Sequence, residues 1–414
     1  MNKTGYLSLP LIVIIVLVLI LALVGAGLYL RTLGNKKINN FISQTVHQVP
    51  TPLPVTPIAT APANLSVLPV VKGSDRYGIN TGIETHDPGI ENAYKLANQA
   101  GIGWIRISCN WASIEPSEGK WSNGCDSLIN TVTGDGFKLT VSFFYSVSWC
   151  SAAPAGVSGA KLEHYAPCDY QKFYDFVYRM VSRYGSNANG LGSGYGQNKV
   201  HFWEVGNEPD TKNTPIPASD YAHALAVAYK AIKAADSNAQ VLPAAPSSGQ
   251  KDYWHNVLHD PNYPAYKSFD IINIHSYGDK ADTKKRLDNV VNDLASLGAK
   301  GKPVWFTETG YPSDSAYQKQ FRGWFYQTYP LGEDGQVAYM KDMIPYILNT
   351  LGVQKVFWYT LEDSPRDNGQ FCNYGLVYYP GYQCAQSLTM PATLPPYSLK
   401  KAYTAYKDLI SQDK

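Results

Sequence analysis

The chain has 414 residues, 16% of them charged, and a formal net charge of +2. That length exceeds one small domain and suits one large barrel with additions. So weak a charge balance gives no sign of the basic patch or stripe of a nucleic-acid binder. Aromatic residues reach 13%, with 31 Tyr and 9 Trp; most serve a core, but such rings also suit stacking on the apolar C–H faces of sugars.

Residues 1–8 form a short polar start, and residues 9–30, LPLIVIIVLVLILALVGAGLYL, carry no charge. A spanning helix needs roughly 20 apolar residues, and the apolar region of a cleavable signal is roughly 7–15. A single transmembrane anchor is therefore expected, with cleavage at ALVGAG as the alternative. Lys3 precedes the span and Arg31, Lys36 and Lys37 follow it, a bias that would keep the C-terminal side in the cytoplasm. The cysteines point the other way. Residues 31–72 read as a linker. Within them, proline recurs every few residues of 49–69, an extended stalk with no core to bury. Asn64-Leu65-Ser66 in the stalk is a glycosylation sequon.

From residue 73 to 414 the texture changes to that of a folded domain. Eight short apolar runs, at 76–83, 103–108, 137–145, 199–207, 239–245, 269–277, 303–309 and 354–361, alternate with amphipathic stretches such as YQKFYDFVYRMVSRYG and KKRLDNVVNDLASLGA. Near-continuous apolar strands alternating with helices predict a parallel sheet covered by helices. Eight units in one domain predict a closed α/β fold, the (β/α)8 TIM barrel, rather than an open doubly wound sheet. No G-x-G-x-x-G follows any strand, which leaves a dinucleotide fold without support. The six cysteines form three close couples, Cys109 with Cys125, Cys150 with Cys168, and Cys372 with Cys384. None has metal spacing. These local disulfides are the expected pairing, and an even count after a membrane segment implies an oxidising compartment.

In such a barrel, working residues come from the C-terminal ends of strands. Strand 4 ends in Asn207-Glu208-Pro209, strand 7 in Thr307-Glu308-Thr309 and strand 6 in His275-Ser276-Tyr277, while strand 2 carries Arg106 and strand 8 carries Trp358. One strand-end Glu is explained by an ion pair or a loop cap. Two, ringed by Arg, Asn and a His-x-Tyr, fit retaining glycoside hydrolysis, in which a carboxylic acid protonates the leaving oxygen and a carboxylate about 5–5.5 Å away attacks the anomeric carbon. In that chemistry Arg106 holds the nucleophile ionised, and the acid keeps its proton through burial or a nearby carboxylate. Asn207 offers an amide to the 2-hydroxyl, Tyr277 bonds the nucleophile, and Trp358 floors the sugar pocket. Pro209 ends the strand, since it cannot donate to a ladder. Glu204 is expected inside the barrel, bonded to a neighbour.

WEVGNEP, VWFTETGY, Arg106, the His275/Tyr277 pair and Trp358 resemble the clan A glycoside hydrolases, with a texture similar to families 5 and 39, over roughly residues 76–407. The resemblance implies that Glu208 is the acid/base and Glu308 the nucleophile, that the bond cut is of the β type, and that no cofactor is needed. Many members carry Trp where this chain has Gly206.

Two other readings use the same fold: a transglycosylase on the same two Glu, and a surface carbohydrate-binding protein without turnover. A metal enzyme is a further possibility, but the histidines are scattered. His255 and His259 have helical spacing without an H-E-x-x-H, and read as surface or loop residues. The loops after the strands hold Trp111, Trp149, Tyr311 and Tyr374 as candidates for sugar stacking or for rim packing, and those after strands 3 and 8 are the long ones. The expected partners are a polysaccharide or oligosaccharide substrate and, through residues 9–30, a membrane, with the barrel outside the cytoplasm.

Overall fold

A computed structural model describes residues 74–81, 90–186, 199–211, 216–247, 252–320, 329–363, 372–378 and 397–413. The chain divides into two units, Met1–Ala61 and Pro62–Lys414, and every described residue lies in the second. The expected 9–30 span, the 31–72 linker and the Asn64 sequon lie outside the described residues. Among the described residues no helix is long and apolar enough to cross a membrane.

The eight apolar runs become eight strands: β1 (Ser74–Asn80), β2 (Ile102–Ser108), β3 (Lys138–Phe143), β4 (Phe202–Val205), β5 (Gln240–Pro243), β6 (Ile272–His275), β7 (Val304–Thr309) and β8 (Lys355–Trp358). They form one sheet in the order β5-β4-β3-β2-β1-β8-β7-β6, and every pairing within it is parallel. The two edge strands approach each other as well. The amides of Asp270 and Ile271, just before β6, donate to the Val241 carbonyl of β5 at 2.8 and 3.2 Å. The Val241 amide donates to Asp270 Oδ2 at 2.9 Å. The result is a nearly closed (β/α)8 barrel.

Helices cover the outside: α1 (Ile90–Gln99), α2 (Trp111–Ile114), α3 (Asp126–Gly134), α4 (Tyr170–Tyr184), α5 (Ala218–Ala235), α6 (Tyr253–Leu258), α7 (Lys280–Ser296), α8 (Ser315–Gln320), α9 (Glu333–Pro345) and α10 (Lys401–Gln412). Their starts follow ordinary capping chemistry. Asp169 Oδ1 accepts from the Gln171 amide at 2.7 Å to open α4, and Asp279 Oδ1 accepts from the Asp282 amide at 2.9 Å to open α7. α10 returns to the beginning of the fold, where Tyr403 donates to the Leu96 carbonyl at 2.8 Å and Tyr406 to the Gly78 carbonyl at 2.6 Å.

Alternation along the strands sorts the barrel interior into layers. At the bottom, Trp104, Leu242, Ile271, Trp305 and Phe357, with Phe202 against them, form an apolar plug of their own. Lys355 caps it, with Nζ 4.4 Å from the Trp104 ring centroid and 5.1 Å from that of Trp305. Two residues further along the same strands the interior turns polar: Arg106, Glu204, Asn273 and Thr307 are all buried, as is Asn80 at the end of β1. The mouth at the C-terminal ends of the strands lies above that layer.

Two of the three expected disulfides are present, Cys109–Cys125 and Cys150–Cys168. They staple the loops that leave β2 and β3 at this mouth to the helices that follow. Cys372 is disulfide-bonded, and Cys384 lies outside the described residues.

Candidate active site

Arg106 organises the site. Its Nε donates to Glu204 Oε2 at 2.6 Å, Nη1 to Asn80 Oδ1 at 2.9 Å and to Glu308 Oε1 at 2.8 Å, and Nη2 to Glu204 Oε1 at 2.9 Å and to Asn207 Oδ1 at 2.7 Å. All five guanidinium N–H groups are used, which a lysine could not reproduce. Burial works against the charge, but the flanking Glu204 and Glu308 carboxylates more than offset it and push the guanidinium further up. Glu204 has no exposed surface and spends both oxygens on Arg106, with Asn273 Nδ2 donating to Oε1 at 2.9 Å. It is a buried anchor for the arginine.

Glu308 is gripped on both oxygens. Arg106 holds Oε1, and Tyr277 donates to Oε2 at 2.5 Å. Burial, and then the Glu308 charge, push the Tyr277 phenol well above its ordinary value, so it stays a donor. A bulge allows β7 to present two consecutive residues here. Ile274 pairs with Phe306, yet His275 pairs with Glu308, so Thr307 is the extra residue. Bulges re-aim side chains in this way beside functional sites.

Glu208 reaches the same mouth by a different route. The β4 ladder continues to the Gly206 amide, which donates to the Phe143 carbonyl at 2.8 Å. The chain then turns at Gly206, with φ +87, well before Pro209. A Cβ at Gly206 would lie 2.9 Å from Tyr145 Cε1, so the tryptophan of many clan members does not fit this backbone. Glu208 itself has φ +40, the sole positive value at a non-glycine residue among the described residues. A carboxylate side chain gains nothing from that region, and such strain persists where surroundings over-determine it. The Glu208 carbonyl is fixed by the Thr211 amide at 3.1 Å and the Thr211 hydroxyl at 2.7 Å.

Glu208, His275 and Glu308 each place an atom within 4.8 Å of the others. Glu208 keeps 28% of its side chain exposed against 9% for Glu308 and 2% for His275, so Glu208 faces incoming solvent and Glu308 lies deeper. The same trio has the spacing of a cation site, but its atoms already serve a hydrogen-bond network. Arg106 and Tyr277 occupy both Glu308 oxygens, and both His275 nitrogens are engaged.

Those His275 bonds fix a proton. Nδ1 lies 3.0 Å from Glu208 Oε1, and Nε2 lies 3.0 Å from Thr307 Oγ1. The Thr307 hydroxyl donates to Asn273 Oδ1 at 2.7 Å, so it must accept from Nε2–H. The remaining axis, Nδ1 to Oε1, then holds one proton, whether it sits on the imidazole or on the carboxyl. Burial pushes the Glu208 carboxyl up, the direction expected for an acid. The hydrogen bond and charge of His275 outweigh that, and the net direction is down. Burial pushes His275 down, but Glu308 and Glu208 reverse it and raise it. Both directions favour the shared proton on His275. This differs from the simple expectation of a raised carboxyl, because a partner on the next strand but one carries the proton for it.

Asn207 spends Oδ1 on Arg106, and its amide –NH2 has no partner among the described residues. Trp358 does not join the group. Phe357 points into the barrel, so alternation sends Trp358 outward, where it is fully buried. Its ring lies 6.2 Å from Tyr339, and its Nε1–H donates to the Tyr374 carbonyl at 3.0 Å. The half-buried ring beside Tyr277 is Tyr359, at 6.2 Å. Trp111, Tyr311 and Tyr374 are buried packing residues, and Trp149 packs on Trp111 at 5.2 Å. Sequence reading missed Asn80, Asn273, Thr307 and Tyr359. Asn80 closes an apolar strand, and Asn273 and Thr307 each break one, which was the available signal.

A family model described as Cellulase (glycosyl hydrolase family 5) matches residues 72–358. The chain belongs to this family. Membership agrees with the clan A resemblance of the strand-end motifs. Solved structures with the same fold include a family 39 glycoside hydrolase from the gut symbiont Bacteroides cellulosilyticus WH2, at 18% identity over 82% of this chain and 64% of that one, with TM-score 0.57. A monomeric beta-xylosidase from Caulobacter crescentus CB15 matches at 17% identity over 81% and 67%, with TM-score 0.56. An exo-beta-1,4-mannosidase from Opitutaceae bacterium strain TAV5 matches at 15% identity over 82% and 59%, with TM-score 0.53. The chain thus spans less than two thirds of the first of these proteins. No curated protein matches it.

Proposed function

We propose that this family 5 chain is a retaining glycoside hydrolase that cleaves β-linked glycans by double displacement, with Glu308 as nucleophile and Glu208 as acid/base. The observation that carries this reading is the pair of carboxylates at the ends of β4 and β7, whose oxygens approach within 4.8 Å. That spacing suits direct attack, whereas an inverting pair sits about 6.5–9.5 Å apart to admit a water. Glu308, oriented by Arg106 and Tyr277, attacks the anomeric carbon, and the bond to the leaving oxygen breaks. The proton of the His275–Glu208 axis moves through Glu208 to that oxygen. Glu208, then a carboxylate, takes a proton from the water that releases the sugar from Glu308, and the axis is refilled. The Asn207 amide is left to donate to the 2-hydroxyl.

The test is a panel of β-glucans, xylans, mannans and galactans incubated with the full-length chain made under oxidising conditions, read by new reducing ends and product length. Release of sugar supports the hydrolase. Products longer than the starting oligosaccharide would replace it with glycosyl transfer, and binding without release would replace it with a lectin-like role.

Glu208→Gln is expected to lower kcat/KM by about 10²–10⁴-fold on natural glycans, and far less on an aryl glycoside whose phenolate departs without a proton. An equal loss on both substrates would remove Glu208 from the acid role. The pH profile follows from the same pair. The raised His275 keeps the axis loaded up to its own folded pKa and empties above it, so the alkaline limb of kcat/KM falls above the ordinary histidine value of 6.5. A limb below that value would contradict the shared proton.

We further propose that residues 9–30 anchor the barrel outside the cytoplasm. The uncharged run and the two disulfides support this. The full-length chain should stay in the membrane pellet after alkaline carbonate washing, and a chain lacking residues 1–30 should not; full-length protein in the supernatant would overturn the anchor.

A further inference from the structure

Outside the mouth, the fold completes a cluster that the sequence left unfinished. His255 and His259 share one face at the end of α6, with ring centroids 4.2 Å apart. Two histidines alone make a weak ligand set. α7 supplies the third member: His255 Nδ1 lies 3.1 Å from Asp293 Oδ1, and His259 Nε2 lies 3.7 Å from the same oxygen. All three ligand atoms lie within 4.8 Å of one another.

We propose that His255, His259 and Asp293 form a surface site for a divalent transition metal of the zinc type, which clips α6 to α7. Three features carry this. First, the donors are two imidazoles and one carboxylate, a set that suits zinc better than calcium or magnesium, which take oxygen ligands. Second, the spacing fits. Tetrahedral zinc with bonds of about 2.0–2.1 Å sets its ligand atoms about 3.3 Å apart, and the observed 3.1 and 3.7 Å bracket that value. Third, one carboxylate oxygen faces two ring nitrogens. An ion placed among the three would serve all of them together, since their ligand atoms lie within 4.8 Å of one another. The side chains are 54%, 33% and 27% exposed, so an ion reaches them from solvent, and a water completes the coordination. The site is independent of the sugar chemistry.

The experiment uses the full-length chain without a histidine tag, stripped with chelator, and titrated with Zn2+ by calorimetry and with Co2+ by visible absorption. The parent is expected to bind one Zn2+ per chain, to show the intense d–d bands of tetrahedral Co2+, and to gain about 3 °C in Tm at saturation. His255→Ala and Asp293→Asn are expected to lose the heat, the bands and the Tm gain, with the metal-free Tm unchanged. The competing trio in the mouth is controlled with Glu308→Gln, which should still bind at the surface site. Absence of binding by the parent would overturn the proposal. So would unchanged binding by His255→Ala, or binding lost only in Glu308→Gln.

Discussion

Glu308→Gln is expected to lower kcat/KM on the hydrolysed glycan by about 10⁴-fold or more, while leaving glycan binding and the fold intact. Loss of a nucleophile removes the covalent route altogether, and single removals of this kind in other enzymes cost as much as dismantling the whole catalytic set. The substitution is nearly isosteric. The Gln carbonyl can still accept from Arg106 at the 2.8 Å position, and only the bond from Tyr277, 2.5 Å from Oε2 in the parent, is lost to the amide. Turnover falls and stability does not, which separates chemistry from folding. Activity within tenfold of the parent would remove Glu308 from the nucleophile role.

Arg106→Met should destabilise the fold by about 3–5 kcal/mol, read as a lower urea midpoint in tryptophan fluorescence. Removing one partner of a buried pair costs about that much, because the other charge stays buried and uncompensated. Here two carboxylates are stranded. Glu204 has no exposed surface and loses both its guanidinium contacts, at 2.6 and 2.9 Å. Glu308 loses its Oε1 partner. Arg106→Lys should recover only part of the loss, since one ammonium has three donors where five are used. A cost below about 1 kcal/mol for Arg106→Met would show that the polar layer of the barrel does not depend on this residue.

The barrel was legible because parallel strands buried on both faces read as apolar runs, and eight of them alternating with amphipathic helices leave few alternatives. Glu208, Glu308, Arg106, His275 and Tyr277 were legible as a group because strand ends in such a barrel share one rim. What failed was side-chain direction. Trp358 sits one residue past the inward Phe357, and a single step in a strand exchanges core face for outer face. The bulge at Thr307 works in the opposite sense and carries two adjacent residues into the site; no local pattern announces it. Networks were also hidden. Asn273 on β6 meets Glu204 on β4 and Thr307 on the neighbouring β7, and Asp293 meets a histidine 38 residues away. Such pairs are made by closure of the fold, and one sequence contains no record of who faces whom. The single proton on the His275–Glu208 axis belongs to the same class, because it follows from the direction of the Thr307 hydrogen bond.

The central claim is double displacement, and the stereochemistry of the first product tests it most directly. The full-length chain would be mixed with the glycan found in the panel, and the anomeric protons followed by NMR before mutarotation sets in. Two displacements return the starting configuration, so the β-anomer should appear first and the α-anomer only later, by equilibration. An α-anomer appearing first would mean a single displacement by water, and Glu308 would then be a base rather than the nucleophile.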